Sequence, residues 1–151
     1  MAQRAGRRTV IRSATEMPAE LIDEVIVAMA ERMTGSDEAR SCAGLSFTFA
    51  VSDHDVLPAR YAIGRGGRVR LTRDDPEEAS FTFSGPADAF DSVLLGKQNA
   101  LAALLRRRIQ LHGSLSHFRQ LMRMMPSVHR AYTESRQDLM DRHAAVYDFR
   151  F

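Results

Sequence analysis

Tryptophan is absent from this 151-residue chain, and cysteine occurs once, as Cys42. A single cysteine excludes an internal disulfide and leaves no cysteine cluster for structural zinc. A reducing, cytoplasmic setting suits such a chain, and Cys42, in the loop-like SDEARSCAG, reads as an inert thiol. No apolar run approaches the roughly 18 to 20 residues that a bilayer crossing requires. The basic N-terminus MAQRAGRRTVIRSAT lacks the apolar core of a secretory signal, and the C-terminal DFRF is not the SKL-type peroxisomal address. The signatures GxSxG and HExxH are missing as well. No enzyme activity, metal or cofactor is therefore expected.

Acid is missing over one long stretch. Residues 92–123 carry +6 with no Asp or Glu, whereas residues 16–56 carry −7 and the whole chain only +2. Charge sorted this sharply marks faces of a molecule rather than a uniformly basic nucleic-acid binder. The cations Arg106, Arg107, Arg108, Arg119 and Arg123 have no aromatic residues interleaved for base stacking, so no nucleic-acid partner is expected. Arg119 and Arg123 are four apart, on a helix face away from Leu115, Phe118 and Met122. With Arg106–Arg108 they are expected to dock transiently to an anionic membrane, each contributing about 1 kcal/mol. His54, in SDHD, reads as part of a solvated hairpin loop rather than a metal site, and His112 and His117 as surface or capping residues.

What is present is periodicity. Leu21, Ile22, Val25, Ile26, Met29 and Met33 form one stripe of a helix predicted over 18–33. Four segments then alternate with period two: Leu45–Ser52, Ala59–Ile63, Val69–Leu71 and Ala79–Phe83. Each has one apolar face, as expected of a mostly antiparallel sheet covered on one side. Gly64–Gly67 reads as a hairpin turn, and the acidic Asp74–Glu78 as a solvated loop. After Phe83 the period becomes helical over Ala87–Leu95 and Asn99–Arg107, with a fifth strand at Ile109–Leu111. A helix capped by Ser114 is expected to break at Pro126, and a last one to run over Ser127–His143. The expected order is α-ββββ-αα-β-αα, an α+β single domain over 16–151 behind a flexible basic arm at 1–15.

This order and its punctuation resemble the sterol carrier protein 2-like (SCP2) family of lipid-binding domains. The resemblance rests on FTFAV, the glycine hairpin before RVRLT, ASFTFSGPADAFDSVLLGKQNALAALL and IQLHGSLSHFRQLMRMM, and is strongest over 45–125. Gly96 and Asn99 stand where the family has a glycine after the first post-sheet helix and an asparagine opening the next. Gly113 and Leu115 match the glycine that ends the last strand and the leucine of the helix after it. Departures are Arg107-Arg108 where Gly-Lys is common, Ser114 where aspartate is frequent, and Ala100 where proline usually follows the asparagine.

The resemblance implies a five-stranded α+β fold with an apolar tunnel between sheet and helices, taking a fatty acyl, sterol or isoprenoid ligand. Phe47, Phe49, Phe81, Phe83, Leu111, Leu115, Phe118, Met122 and Met125 would line it, the methionines supplying adaptable walls. The C-terminal helix would serve as a lid. Periodicity does not distinguish a hollow layer from a filled core. The alternative expectation is therefore a protein-interaction or accessory module for a lipid or quinone biosynthetic enzyme, with these residues packed solid.

Overall fold

A computed structural model describes residues 7–73, 79–113 and 115–151, together with the backbone but not the side chain of Leu115. The loop expected at 74–78 and the cap expected at Ser114 lie outside the described residues. Five strands, β2 (Ser46–Val51), β3 (Ala59–Ile63), β4 (Val69–Thr72), β5 (Phe81–Gly85) and β6 (Gln110–Gly113), form one sheet in the order β4-β3-β2-β5-β6. Every pairing is antiparallel except the central β2–β5 pair, which is parallel and sets Phe47 beside Phe81 and Phe49 beside Phe83. Phe47, Phe49, Tyr61, Ile63, Val69 and Phe81 are buried on one face, while Thr48, Arg60, Ala62, Arg70 and Thr82 alternate with them on the other.

Helices α1 (Ala19–Met33), α3 (Ala87–Leu94) and α5 (Phe118–Arg142) cover the apolar face. α1 forms where expected, with its stripe inward, and its Ile26 carbonyl accepts the buried Tyr61 hydroxyl at 2.8 Å. A short helix, α2 (Asp37–Ser41), replaces the loop expected around Cys42. Ser36 caps it by accepting the Ala39 N–H at 3.1 Å, and Cys42 is fully buried behind it. The glycine turn between β3 and β4 packs against α2 so closely that a Cβ at Gly67 would meet Arg40 atoms at 2.8 Å.

Three expectations need correction. Among its described residues the arm is not free: β1 (Thr9–Ile11) pairs in parallel with β7 (Tyr147–Phe149), and Ile11 is 1% exposed. One buried isoleucine and a strand partner outweigh the four nearby arginines. Pro126 does not break a helix either; α5 runs through it without interruption. An internal proline costs about 3 kcal/mol. Leu121 and Met124 before it, and Val128, Ala131 and Leu139 after it, are buried along one stripe, at about 1.5–3 kcal/mol for each large side chain. Pro126 itself lies on the exposed side. Finally, His54 is not solvated. Its side chain is 5% exposed, with Nδ1 at 2.9 Å from Asp53 Oδ1 and Nε2 at 2.8 Å from the Met17 carbonyl. Asp53 also accepts the Ala87 N–H and the Thr15 hydroxyl, so one carboxylate joins the β2–β3 loop, the N-terminal segment and the start of α3.

Candidate functional site

The sheet and helices part at one end of the layer. Between β2, β5, β6, α3, the short helix α4 (Ala100–Leu105) and the first half of α5 lies a cavity of about 360 Å³. That size falls within the range of small-molecule pockets. Its floor is Phe47, Phe49, Phe83 and Leu111 on the strands, with Ile109 just before β6. Phe90, Val93 and Leu94 close it from α3, and Leu101 and Leu104 from α4. Phe118, Leu121, Met122, Met125 and Val128 form the α5 wall. Phe49 is the centre of an aromatic cluster, with ring centroids 5.5 Å from Phe47, 5.7 Å from Phe83 and 5.5 Å from Phe90.

Among the described residues the polar content of the wall is one amide. Asn99 lines the cavity, but its Oδ1 accepts the Leu101 and Ala102 N–H groups at 2.8 and 3.2 Å as the cap of α4. No ionisable or nucleophilic side chain reaches the cavity among the described residues. The described residues also contain no cluster of three or more metal-ligating side chains. This arrangement offers dispersion and hydrophobic burial to a ligand.

The mouth is greasy. Leu101 and Leu105 on α4 are 63% and 76% exposed, and Phe118 and Met122 on α5 are 41% and 45% exposed. Exposed Arg106–Arg108 follow α4 directly, and exposed Arg119 and Arg123 stand on α5 beside Phe118 and Met122. Arg108 donates to Gln98 Oε1 at 2.7 Å. α4 ends with Arg107 in the left-handed conformation at φ 58°. The Arg107 N–H bonds the Leu104 carbonyl at 3.1 Å, and the Arg108 N–H bonds the Ala103 carbonyl at 2.9 Å. That hydrogen-bond pattern normally places glycine where Arg107 stands.

Of the residues expected to line the tunnel, Phe47, Phe49, Phe83, Leu111, Phe118, Met122 and Met125 do line the cavity. The Leu115 side chain lies outside the described residues. Phe81 is a correction: it is 1% exposed and away from the cavity, packed where β6 ends, so tightly that a Cβ at Gly113 would meet its Cδ1 at 2.7 Å. The lid is a second correction. The C-terminal half of α5 packs on α1 through Ala131, Ser135 and Leu139, and the cavity wall stops at Val128. His112 and His117 are exposed and line nothing here; His117 Nδ1 lies 3.3 Å from Gln120 Oε1. Sequence reasoning missed Phe90, Val93 and Leu94, although their spacing on α3 gives them one common face. It also missed Leu101 and Leu104 as wall residues, because an apolar helix stripe carries no mark of whether its neighbour is protein or void.

No helix among the described residues is long and apolar enough to cross a membrane. Comparison with curated proteins by sequence finds no match. Among solved structures, the ubiquinone synthesis protein UbiJ-SCP2 aligns with a TM-score of 0.55 at 14% identity, over 78% of this chain and 98% of that one. The second sterol carrier protein domain of Helicoverpa armigera aligns with a TM-score of 0.55 at 13% identity, over 82% and 96%. Sterol carrier protein 2 of Aedes aegypti, solved with palmitate, aligns with a TM-score of 0.50 at 16% identity, over 71% and 96%. At these identities the likeness is one of fold. The sequence profile of the SCP-2 sterol transfer family matches residues 28–126, about two thirds of the protein, and by that match the chain belongs to the SCP-2 sterol transfer family.

Proposed function

We propose that this protein holds a long apolar ligand, a fatty acyl, sterol or isoprenoid lipid, in the cavity between sheet and helices without transforming it. The observation that carries the reading is the open cavity of about 360 Å³ whose wall is apolar but for one satisfied amide. Burial of each ligand methylene contributes about 0.8 kcal/mol, so a chain binds there without a polar anchor. The palmitate complex of the mosquito relative supports the ligand class through shared fold. Native mass spectrometry of the purified protein, with extraction of whatever co-purifies, tests it. A clean apo mass together with no displacement of a fluorescent fatty acid would sink the proposal. Phe83→Asp and Met122→Asp should abolish uptake, and folded variants that bind normally would place the ligand elsewhere.

The mouth has the make-up of a loading face for an anionic membrane. Leu101, Leu105, Phe118 and Met122 offer apolar surface, and Arg106, Arg107, Arg108, Arg119 and Arg123 surround it with positive charge. Glu20, Asp23 and Glu24 lie on α1 near Arg142, about 34 Å along α5 from Arg119, and there Asp23 pairs with Arg73 and Glu24 with Arg142 and His143. Arg119→Glu with Arg123→Glu should weaken binding to phosphatidylserine vesicles by roughly a hundredfold or more at low salt; equal binding would remove the docking step. A second reading, an accessory role beside a quinone-synthesis enzyme, draws on the UbiJ-SCP2 likeness alone. The open cavity argues against its filled-core form.

A further inference from the structure

A second, smaller cavity of about 50 Å³ lies deeper in the same layer, beneath α1 and away from the mouth. Phe49, Phe90 and Leu94 line both spaces. They are 8%, 7% and 5% exposed, and the Phe49 and Phe90 rings stand 5.5 Å apart. These three side chains, shared by both walls, therefore form a partition between the two cavities. The inner space has room for a few methylene groups. Its polar wall groups are already committed. The Tyr132 hydroxyl donates to Asp91 Oδ1, and Arg136 Nε donates to the same carboxylate at 2.8 Å. Arg136 also lies 4.7 Å from the centroid of the Phe151 ring, which covers it.

We infer that the partition of Phe49, Phe90 and Leu94 sets the longest chain this protein accepts, and that a ligand enters tail first. The inference rests on the lipid-binding reading above and specifies its ligand. A carboxylate or other anionic head entering first would meet walls that are apolar but for the bonded Asn99, and at the far end an arginine whose charge Asp91 already satisfies. Such a head stays instead at the mouth, among Arg106, Arg107, Arg119 and Arg123, while the methyl end advances to the partition. Each methylene buried up to that point raises affinity about fourfold, and further methylenes add nothing because they find no space. Phe90 is the side chain to remove, since its ring lines both cavities and stands 5.5 Å from Phe49.

The test is a chain-length series of saturated fatty acids, from dodecanoate to tetracosanoate, displacing a fluorescent fatty acid from the full chain. In the unaltered protein the affinity gain should stop within the series. In Phe90→Ala it should continue for several more carbons at about fourfold each. Phe90→Leu, which keeps more of the packing, should extend the series by less. Adding Ile22→Phe, which fills the inner cavity from α1, should restore the original limit in either background. The same length limit in the Phe90 variants and the unaltered protein overturns the inference, as does an extended limit that Ile22→Phe leaves in place. Failure of every fatty acid to bind any of these proteins overturns the lipid-binding reading itself, and the inference with it.

Discussion

The two halves of α5 live in different proteins, physically speaking. From Ser127 to Leu139 the helix buries Ser127, Ala131, Ser135 and Leu139, all at most 2% exposed, with Ser127 bonded to the α2 cap Ser36 at 3.0 Å and the later residues packed towards α1. The seam is cross-linked by Arg32–Glu134 at 3.1 Å, Glu24–Arg142 at 2.8 Å and Glu24–His143 at 2.8 Å. From Phe118 to Met125 the same helix presents long, flexible side chains to empty space. Among the described residues no carboxylate pairs with Arg106, Arg107, Arg119 or Arg123. Small side chains let helices approach closely and leave little void, here the cavity of about 50 Å³ between α1 and Tyr132 and Arg136; large ones on a helix with a short neighbour leave the hollow of about 360 Å³. The difference teaches that a hollow end is tolerated because stability is concentrated at the filled one.

Breaking the filled end should have the largest effect. Asp91 is 7% exposed and binds Tyr132 and Arg136, whose partner contacts are otherwise a thioether and a ring face. Asp91→Ala leaves a buried guanidinium uncompensated, which costs about 3–5 kcal/mol. Urea unfolding of the variant should show that loss with little change in the slope. A loss under about 1 kcal/mol would mean that Arg136 swings to water and that the cluster is peripheral.

Acid should loosen the same seam more gently. Burial raises the Glu24 carboxyl, but hydrogen bonds from Arg142 and His143 outweigh it and hold the group below its ordinary range. Glu38 is likewise lowered by its hydrogen bond with Arg130. A carboxylate depressed by folding stabilises the native state fully above its unfolded pKa, about 4.3, and loses that contribution as pH falls through the folded value. The urea midpoint should therefore drop between about pH 5 and pH 3. Glu24→Gln should flatten part of that drop, and an unchanged profile would remove Glu24 from the account.

How far these halves were legible in the sequence follows from the kind of signal each emits. The sheet was readable because Phe47, Phe49, Phe81 and Phe83 alternate with small polar residues, and burial on one face enforces that period. The parallel β2–β5 pairing was not, since alternation is the same in either direction. The continuity of α5 through Pro126 is not legible locally, because proline breaks an isolated helix and only tertiary burial on both sides exceeds its cost. The cavity residues were legible as an apolar layer; which of them face a void was not. Phe81 and Phe83 have the same pattern and the same partner strand, yet one is packed against Gly113 and the other lines the cavity. The family resemblance supplied the hollow, which no period encodes.

Arg107 sharpens the comparison at its smallest scale, with a stabilising change at the hollow end. An L-residue in the left-handed region costs about 1–2 kcal/mol, and glycine adopts it freely. Part of that gain is lost because glycine also frees the unfolded chain. Arg107→Gly should thus raise stability by about 1 kcal/mol or somewhat less, seen as a higher thermal midpoint. Glycine is also common at this place in the family that the sequence resembles. If the arginine contributes to membrane attraction, the same substitution should weaken binding to anionic vesicles about fivefold, the equivalent of one charge near the surface. Opposite signs in the two measurements would show that the mouth keeps a strained backbone to hold a cation beside Leu105. Higher stability with unchanged vesicle binding would leave Arg107 outside the docking face. No gain in stability would mean that the left-handed turn relaxes at no cost, and that the end of α4 is softer than its hydrogen bonds to Ala103 and Leu104 indicate.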